Sequence, residues 1–126
     1  MTAHRYTILV AVDGTDASSL VLEQAINVAA RYDDVDFQVA SVLEPEGWLK
    51  KKPLDEGERD ELQRTVAGYL GEAINNFSDL DMSKLSLSLF VSAGDVRDEI
   101  PFLAEWSQAD LVVVGREHLS GEKHSS

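Results

Sequence analysis

Two kinds of apolar pattern alternate along this chain. Short apolar runs are followed by longer stretches in which apolar residues recur every three or four positions. The first run, Ile8 to Val12, lies inside Tyr6–Thr15 and is unbroken. A half-exposed strand alternates apolar and polar side chains, so this run predicts a strand covered on both faces. Asp13-Gly14 stops it, and helical rather than strand periodicity follows, which excludes a hairpin at that turn. Asp16 or Ser18 is the expected N-cap of the first helix. Val21, Ala25, Val28, Ala29 and Tyr32, with Leu20 and Leu22, form its stripe, and the helix is expected to end near Tyr32-Asp33.

Asp36 to Leu43 reads as the second strand. Glu44 to Gly57 is irregular and holds Pro45, Pro53, Gly47, Trp48 and the triplet Lys50 to Lys52. It reads as a loop over the sheet's carboxyl edge, with Trp48 and Leu49 as its anchor or as a lid. A long helix over roughly 58–77 follows, with Leu62, Val66, Leu70, Ala73, Ile74 and Phe77 as its stripe. Gly68 and Gly71 lie inside that helix, weaken it, and are read as permitting close packing on the sheet. Leu85 to Ser92 alternates leucine and serine, the mark of an edge strand with one exposed face. Gly94-Asp95 then turns the chain, with Asp95 as an N-cap. Val96, Ile100, Leu103, Ala104 and Trp106 are expected to face the core, and Pro101 to distort the helix that carries them. Asp110 to Gly115 is a second unbroken run, the fourth strand.

The order is β-α-β-α-β-α-β. Right-handed crossovers then give an α/β, doubly wound parallel sheet. The two unbroken runs are neighbours in a strand order of 3-2-1-4. Residues 1–115 form one domain, and 116–126 read as a polar tail with Leu119 as its one large apolar residue. Ligands of such sheets bind beyond the carboxyl ends of the strands.

Composition narrows the function. The net charge is −12 and the pI near 4.4, a surface that repels phosphate backbones, so nucleic acid is not an expected partner. No apolar run approaches the roughly 20 residues that span a bilayer, and the first residues lead straight into a strand without a signal peptide. The absence of cysteine excludes disulfides, thiolate metal sites and cysteine nucleophiles, and fits a cytoplasmic protein. His118 and His124 are too few for a metal site. Gly115 followed by Gly121-Glu122-Lys123 has the wrong spacing for a P-loop, and Glu122 separates the glycine from the lysine. Ser18 and Ser19 have no histidine near them in sequence, and no triad or carboxylate pair stands out. The expectation is a protein that is not an enzyme, with weak nucleotide hydrolysis as the last alternative.

Three stretches in order carry a resemblance: Ile8 to Ser18 (ILVAVDGTDAS), Gly94 to Ile100 (GDVRDEI) and Ala109 to Gly115 (ADLVVVG). Together they resemble the universal stress protein family over nearly the whole chain. The resemblance implies a small doubly wound domain, cytosolic and often dimeric, from a family with one ATP-binding and one non-binding branch. The ATP-binding branch carries a glycine, two residues, a second glycine, nine residues, a third glycine and then serine or threonine. Glycines let backbone amides approach phosphates. Gly115 matches the first position, His118 stands at the second, and the third would fall at 128, beyond Ser126. The family's last helix and fifth strand have no counterpart either.

Carried over, Asp13 resembles the acidic residue beside ribose and adenine, and Ala11 and Val12 resemble pocket-lining residues. Val42 resembles the residue whose backbone reads adenine. Gly115, preceded by Val114, resembles the start of the phosphate loop. Asp13 also reads as a turn former, Gly115 as a strand terminator, and Arg116, His118, Lys123 and His124 as a solvated tail or, alternatively, as positive charge for a phosphate. The resemblance implies an adenosine half-site without its triphosphate half. No cofactor is certain, and ATP or another adenine nucleotide is the candidate. The expected function is a stress-response or regulatory role through association with nucleotide binding weak or lost; the alternative is an adenine-nucleotide sensor. Without a fifth strand, strand four becomes an edge with unpaired backbone groups, so self-association, as a homodimer, is expected there, or a tail folded across it.

Overall fold

A computed structural model describes residues 5–13, 15–43, 56–77, 80–94 and 96–115. In chain order these form β1 (Tyr6–Val12), α1 (Ser18–Ala29), β2 (Val35–Leu43), α2 (Glu56–Asn75), a 3₁₀ turn at Met82–Lys84, β3 (Leu85–Ala93), α3 (Val96–Ser107) and β4 (Leu111–Val114). The four strands are parallel, in the order β3-β2-β1-β4. The expected topology is observed, with a doubly wound, Rossmann-like layout. The loop over 44–55 with Trp48 and the lysine triplet, the Asp95 cap, and the tail from Arg116 lie outside the described residues.

β1 explains why its sequence is an unbroken apolar run. It bonds to β2 on one side and β4 on the other, and Ile8 to Val12 are fully buried. Side chains alternate between two cores. Ile8, Val10 and Val12 join Leu22, Ala25 and Ile26 of α1 and Val66, Leu70 and Ala73 of α2 in the larger core, with Phe37 and Val39 of β2. Leu9 joins Ala40, Val42 and Leu103 of α3 in the smaller core. Two helices thus cover one face of the sheet and α3 the other.

β4 reaches its register through a side chain. The Asp110 amide donates to the Thr7 carbonyl at 2.8 Å, and the Thr7 amide donates to the Asp110 carboxylate at 2.9 Å. The carboxylate stands where a strand carbonyl would be, so β4 starts at Leu111 rather than at Asp110. α3 ends in a Schellman turn: Ala109 donates to the Ala104 carbonyl and Gln108 to that of Glu105, with Gln108 at φ 56°.

Several expectations are corrected. Neither Asp16 nor Ser18 caps α1; Ala17 is the N-cap and makes no side-chain cap bond. The turn's own carbonyls satisfy the first amides, Ser18 donating to Thr15 and Ser19 to Asp16. The Asp16 carboxylate instead accepts from the Tyr69 hydroxyl at 2.8 Å, tying the entry of α1 to α2. α1 ends at Ala29, because Arg31 and Tyr32 bond in a tighter turn to Val28 and Ala29. Tyr32 therefore leaves the helix and stacks on Tyr6, with centroids 4.0 Å apart. Ile26, outside the expected stripe, is buried, while Leu20 is 63% exposed. α2 begins at Glu56 and ends at Asn75, and α3 runs through Pro101. Trp106 is 68% exposed rather than in the core. Its position on α3 lies about 100° per residue from its neighbours, which puts it on the flank of the buried Leu103 and not beneath the helix.

Gly68 and Gly71 do not serve close packing. Both are exposed, and a Cβ at either would meet nothing within 4 Å. Their helical cost stays without compensation, so Gly68→Ala and Gly71→Ala should each stabilise the fold by about 1 kcal/mol. A higher urea midpoint with an unchanged slope is the expected result; a lower one would mean the glycines meet a surface the isolated chain lacks.

The Asp16–Tyr69 link makes a second prediction. The hydrogen bond to Asp16, then desolvation and nearby carboxylates, raise the Tyr69 phenol above the ordinary tyrosine value. The folded state favours the neutral phenol. Its stabilisation is complete below the ordinary tyrosine pKa and is lost as pH rises through the raised one. Asp16→Ala should move phenolate formation, followed by absorbance, to lower pH and reduce the alkaline loss of stability. An unchanged titration would exclude the link in solution.

Candidate functional site

The strand order reverses between β1 and β4, because the first crossover leads to β2 on one side and the last to β4 on the other. The carboxyl ends of these two strands flank the crevice where open α/β sheets receive ligands. Ala11 is the last β1 residue paired with β4, opposite Val114, and it is opposite Ala40 of β2 on the other side. Ala11 and Ala40 are small, adjacent and fully buried on that sheet face. Strand alternation puts Ala11, Asp13, Val42 and Val114 on the α3 face together, with Gly115 buried just after β4.

Five of the six expected site residues therefore meet at one place. Val42 follows Ser41, which pairs with Val12, so it is level with Asp13 across the β1–β2 ladder. Val12 is different: it belongs to the larger core between α1 and α2, on the opposite face. It packs behind these residues and does not join them.

Asp13 is half-buried and shapes the turn after β1. Its carboxylate accepts from the Thr15 amide at 3.0 Å and from the Thr15 hydroxyl at 2.7 Å. Both bonds are those of an Asx turn, so the turn-forming role is real. The described residues that follow β1 and β4 directly, Asp13, Thr15, Asp16 and Gly115, carry two carboxylates and no cation.

Sequence reasoning missed two features beside this crevice. The first is at the start of α3. The Ser92 hydroxyl donates to the Glu99 carboxylate, which folds back over Gly94. Gly94 has φ +150°, and a Cβ there would come within 2.9 Å of Glu99. A side chain at 94 would displace the carboxylate, so the glycine holds the β3–α3 turn in this form. The Gly94-Asp95 turn signal was legible, but the partner four residues into the helix was not. The second is Ser41, fully buried with its hydroxyl unpartnered among the described residues. A serine within an apolar run carries no local sign of its desolvation.

Among the described residues no cluster of three or more histidine, aspartate or glutamate side chains could hold a metal ion. Nor is any described helix long and apolar enough to cross a membrane.

Comparison with known proteins agrees with this geometry. The model of the universal stress protein family matches residues 5–125. The fold is similar to that of protein Rv1636 from Mycobacterium tuberculosis, with TM-score 0.57 and 22% identity, over 91% of this chain and 74% of that one. It is similar to a universal stress protein family member from Burkholderia pseudomallei, with TM-score 0.60 and 19% identity, over 91% and 84%. A universal stress protein solved in complex with cAMP aligns with TM-score 0.59 and 19% identity, over 88% and 73%. None of the curated proteins is a match. At these identities the structural likenesses speak for the fold, while the family match spans nearly every residue: the chain belongs to the universal stress protein family.

Proposed function

We propose that this protein is a non-catalytic regulatory domain, cytoplasmic, that acts by association and takes the adenosine part of a nucleotide of low charge at the β1–β4 crevice. The observation that carries the reading is the convergence of small apolar residues and one carboxylate at these strand ends on the α3 face. Ala11 and Val114 are in register, Val42 of β2 is level with Asp13 after β1, and Gly115 follows β4. Apolar strand ends suit a purine, and a half-buried carboxylate beside them suits ribose hydroxyls. The cAMP-bound relative supports an adenine ligand at this fold.

The charge of the crevice sets the preference among adenine ligands. Asp13 and Asp16 stand near the crevice, with no cation among the adjoining described residues, on a protein of charge −12. A triphosphate meets more repulsion there than a cyclic or simple monophosphate. This is the sense in which nucleotide binding is weak: adenosine recognition is kept and triphosphate binding is reduced. Catalysis has no part in the reading, because none of these groups is arranged as nucleophile and base.

Isothermal titration with cAMP, AMP and ATP with Mg²⁺ tests this. Heats should saturate for cAMP or AMP, with ATP weaker by tenfold or more. Asp13→Ala should weaken the preferred ligand, while Asp13→Asn, which keeps the turn acceptor, should separate the charge from the turn. Tight ATP binding would reverse the charge argument. No heat from any adenine nucleotide at millimolar concentration would leave a domain that works by association alone.

Association has a surface to use. Among the described residues β4 pairs with β1 only, and its four residues are half-buried. An apolar parallel edge with free backbone groups recruits a partner. We expect a homodimer through β4. Sedimentation should give a dimer whose amides at 111–114 exchange slowly, with exchange rising on dilution. A monomer at all concentrations with fast exchange at those amides would remove this interface.

A further inference from the structure

We propose that the flank of α3 and β3 formed by Phe90, Phe102 and Trp106 is a docking surface for a partner protein's amphipathic segment whose apolar side chains are flanked by lysine or arginine. This rests on the association half of the preceding reading and is independent of the nucleotide crevice.

The argument begins with unexplained exposure. Phe102 is 62% and Trp106 68% exposed, and they sit one turn apart on α3. The buried side of that helix is occupied by Leu103, with Ile100 and Ala104 packed beside it. Phe102 is about 100° and Trp106 about 60° from Leu103 around the helix, on the same flank, and both are mostly exposed. Trp106 leans instead over the sheet, edge-on to Phe90 of β3, with ring centroids 6.3 Å apart. Phe90 shares the α3-facing side of β3 with Ser86, Ser88 and Ser92 by alternation. α3 lies over β1 and β2, so this part of the edge strand is bordered by the helix and not covered by it. The result is a shallow aromatic groove between an outer helix and an edge strand. Single exposed apolar residues are ordinary, but aromatic residues grouped around a groove mark an interaction surface.

Charge selects the occupant. α3 carries Asp98, Glu99 and Glu105 against Arg97. Asp98 and Glu105 lie on the exposed side of the helix next to Phe102. Asp36, at the amino end of β2, is on the same sheet face, with its carboxylate accepting from Gln38. The rim is acidic on a protein that is acidic overall. A second copy docked here would bring two such rims together, which like charges oppose. An anionic lipid surface is opposed for the same reason. A segment with an apolar stripe and basic flanks satisfies both the aromatic floor and the carboxylate rim. The surface lies at the β3 side of the sheet, away from β4, so a β4-mediated dimer leaves it open.

The test uses the full chain with Trp48→Phe, which leaves Trp106 as the sole tryptophan. The probe is a synthetic peptide of about 18 residues with leucine at helical spacing and lysine between. Controls are a leucine–glutamate peptide and a serine–lysine peptide. The leucine–lysine peptide should shift Trp106 emission to the blue and saturate. Phe102→Ser, and separately Asp98→Lys with Glu105→Lys, should each weaken binding at least tenfold, with unchanged circular dichroism.

The serine–lysine peptide giving an equal shift would reduce the effect to bulk charge and overturn the proposal. So would a shift with neutral phosphatidylcholine vesicles, or concentration-dependent self-association abolished by Phe102→Ser, since each names a different occupant. A β4 dimer that forms normally while the peptide fails to bind would remove this surface and leave the association reading intact.

Discussion

The rest of the structure depends on β1 being hydrogen-bonded on both sides and buried on both faces. A parallel strand in that position cannot carry a polar side chain that points into either core without leaving it unpaired. Ile8 to Val12 meet that condition completely. The same constraint creates the crevice. β2 and β4 lie on opposite sides of β1, so the strand order reverses there. The Thr7–Asp110 bonds set β4 against the amino half of β1, and from there the ladder runs to Ala11–Val114.

Among the described residues the two faces of the sheet are unequally covered, and the candidate surfaces lie on the α3 side. α1 and α2 press a large core against one side, held further by Tyr69–Asp16 and by Asn76 donating to Glu23. Of the described helices α3 alone meets the other side, through a small core centred on Leu103, Leu9, Ala40 and Val42. One helix about 10 Å wide does not span four strands spaced about 4.8 Å apart. On its β3 flank Phe90 and Trp106 meet edge to face.

The architecture was legible because a parallel sheet writes its topology in burial. The unbroken run of β1 marks a strand covered on both faces, and the leucine–serine alternation of β3 marks an edge; β4, also unbroken, is a half-buried edge among the described residues. What stayed hidden depends on distant partners. Asp16 looks like a cap, but Tyr69, far along the chain, takes its carboxylate. Asp110 looks like the first strand residue, but its side chain completes the β1 ladder. Tyr32 fits the helical stripe, yet a tighter last turn hands it to Tyr6. Trp106 and Phe102 show a further limit. Hydrophobicity reports that a side chain gains from burial, not whether the burial occurs within the same chain. For the candidate site, family resemblance named residues that the fold brings to neighbouring strand ends, while strand parity puts Val12 and Ala11 on opposite faces.

α3 joins the two surfaces physically. Its first turn is held to the end of β3 by the Ser92–Glu99 bond over Gly94, and its later turns carry Phe102 and Trp106. Proximity alone does not make these sites communicate: coupling requires an element with two arrangements that each ligand distinguishes. The contacts observed favour one arrangement. Leu103 is buried among Leu9, Ala40 and Val42, and the Schellman turn at Gln108 fixes the far end before Asp110 locks β4 in register. α3 thus behaves as part of the same packed body as the sheet. The Ser92–Glu99 bond ties β3 to the first turn of α3, so it is a contact through which a shift of that helix would have to pass.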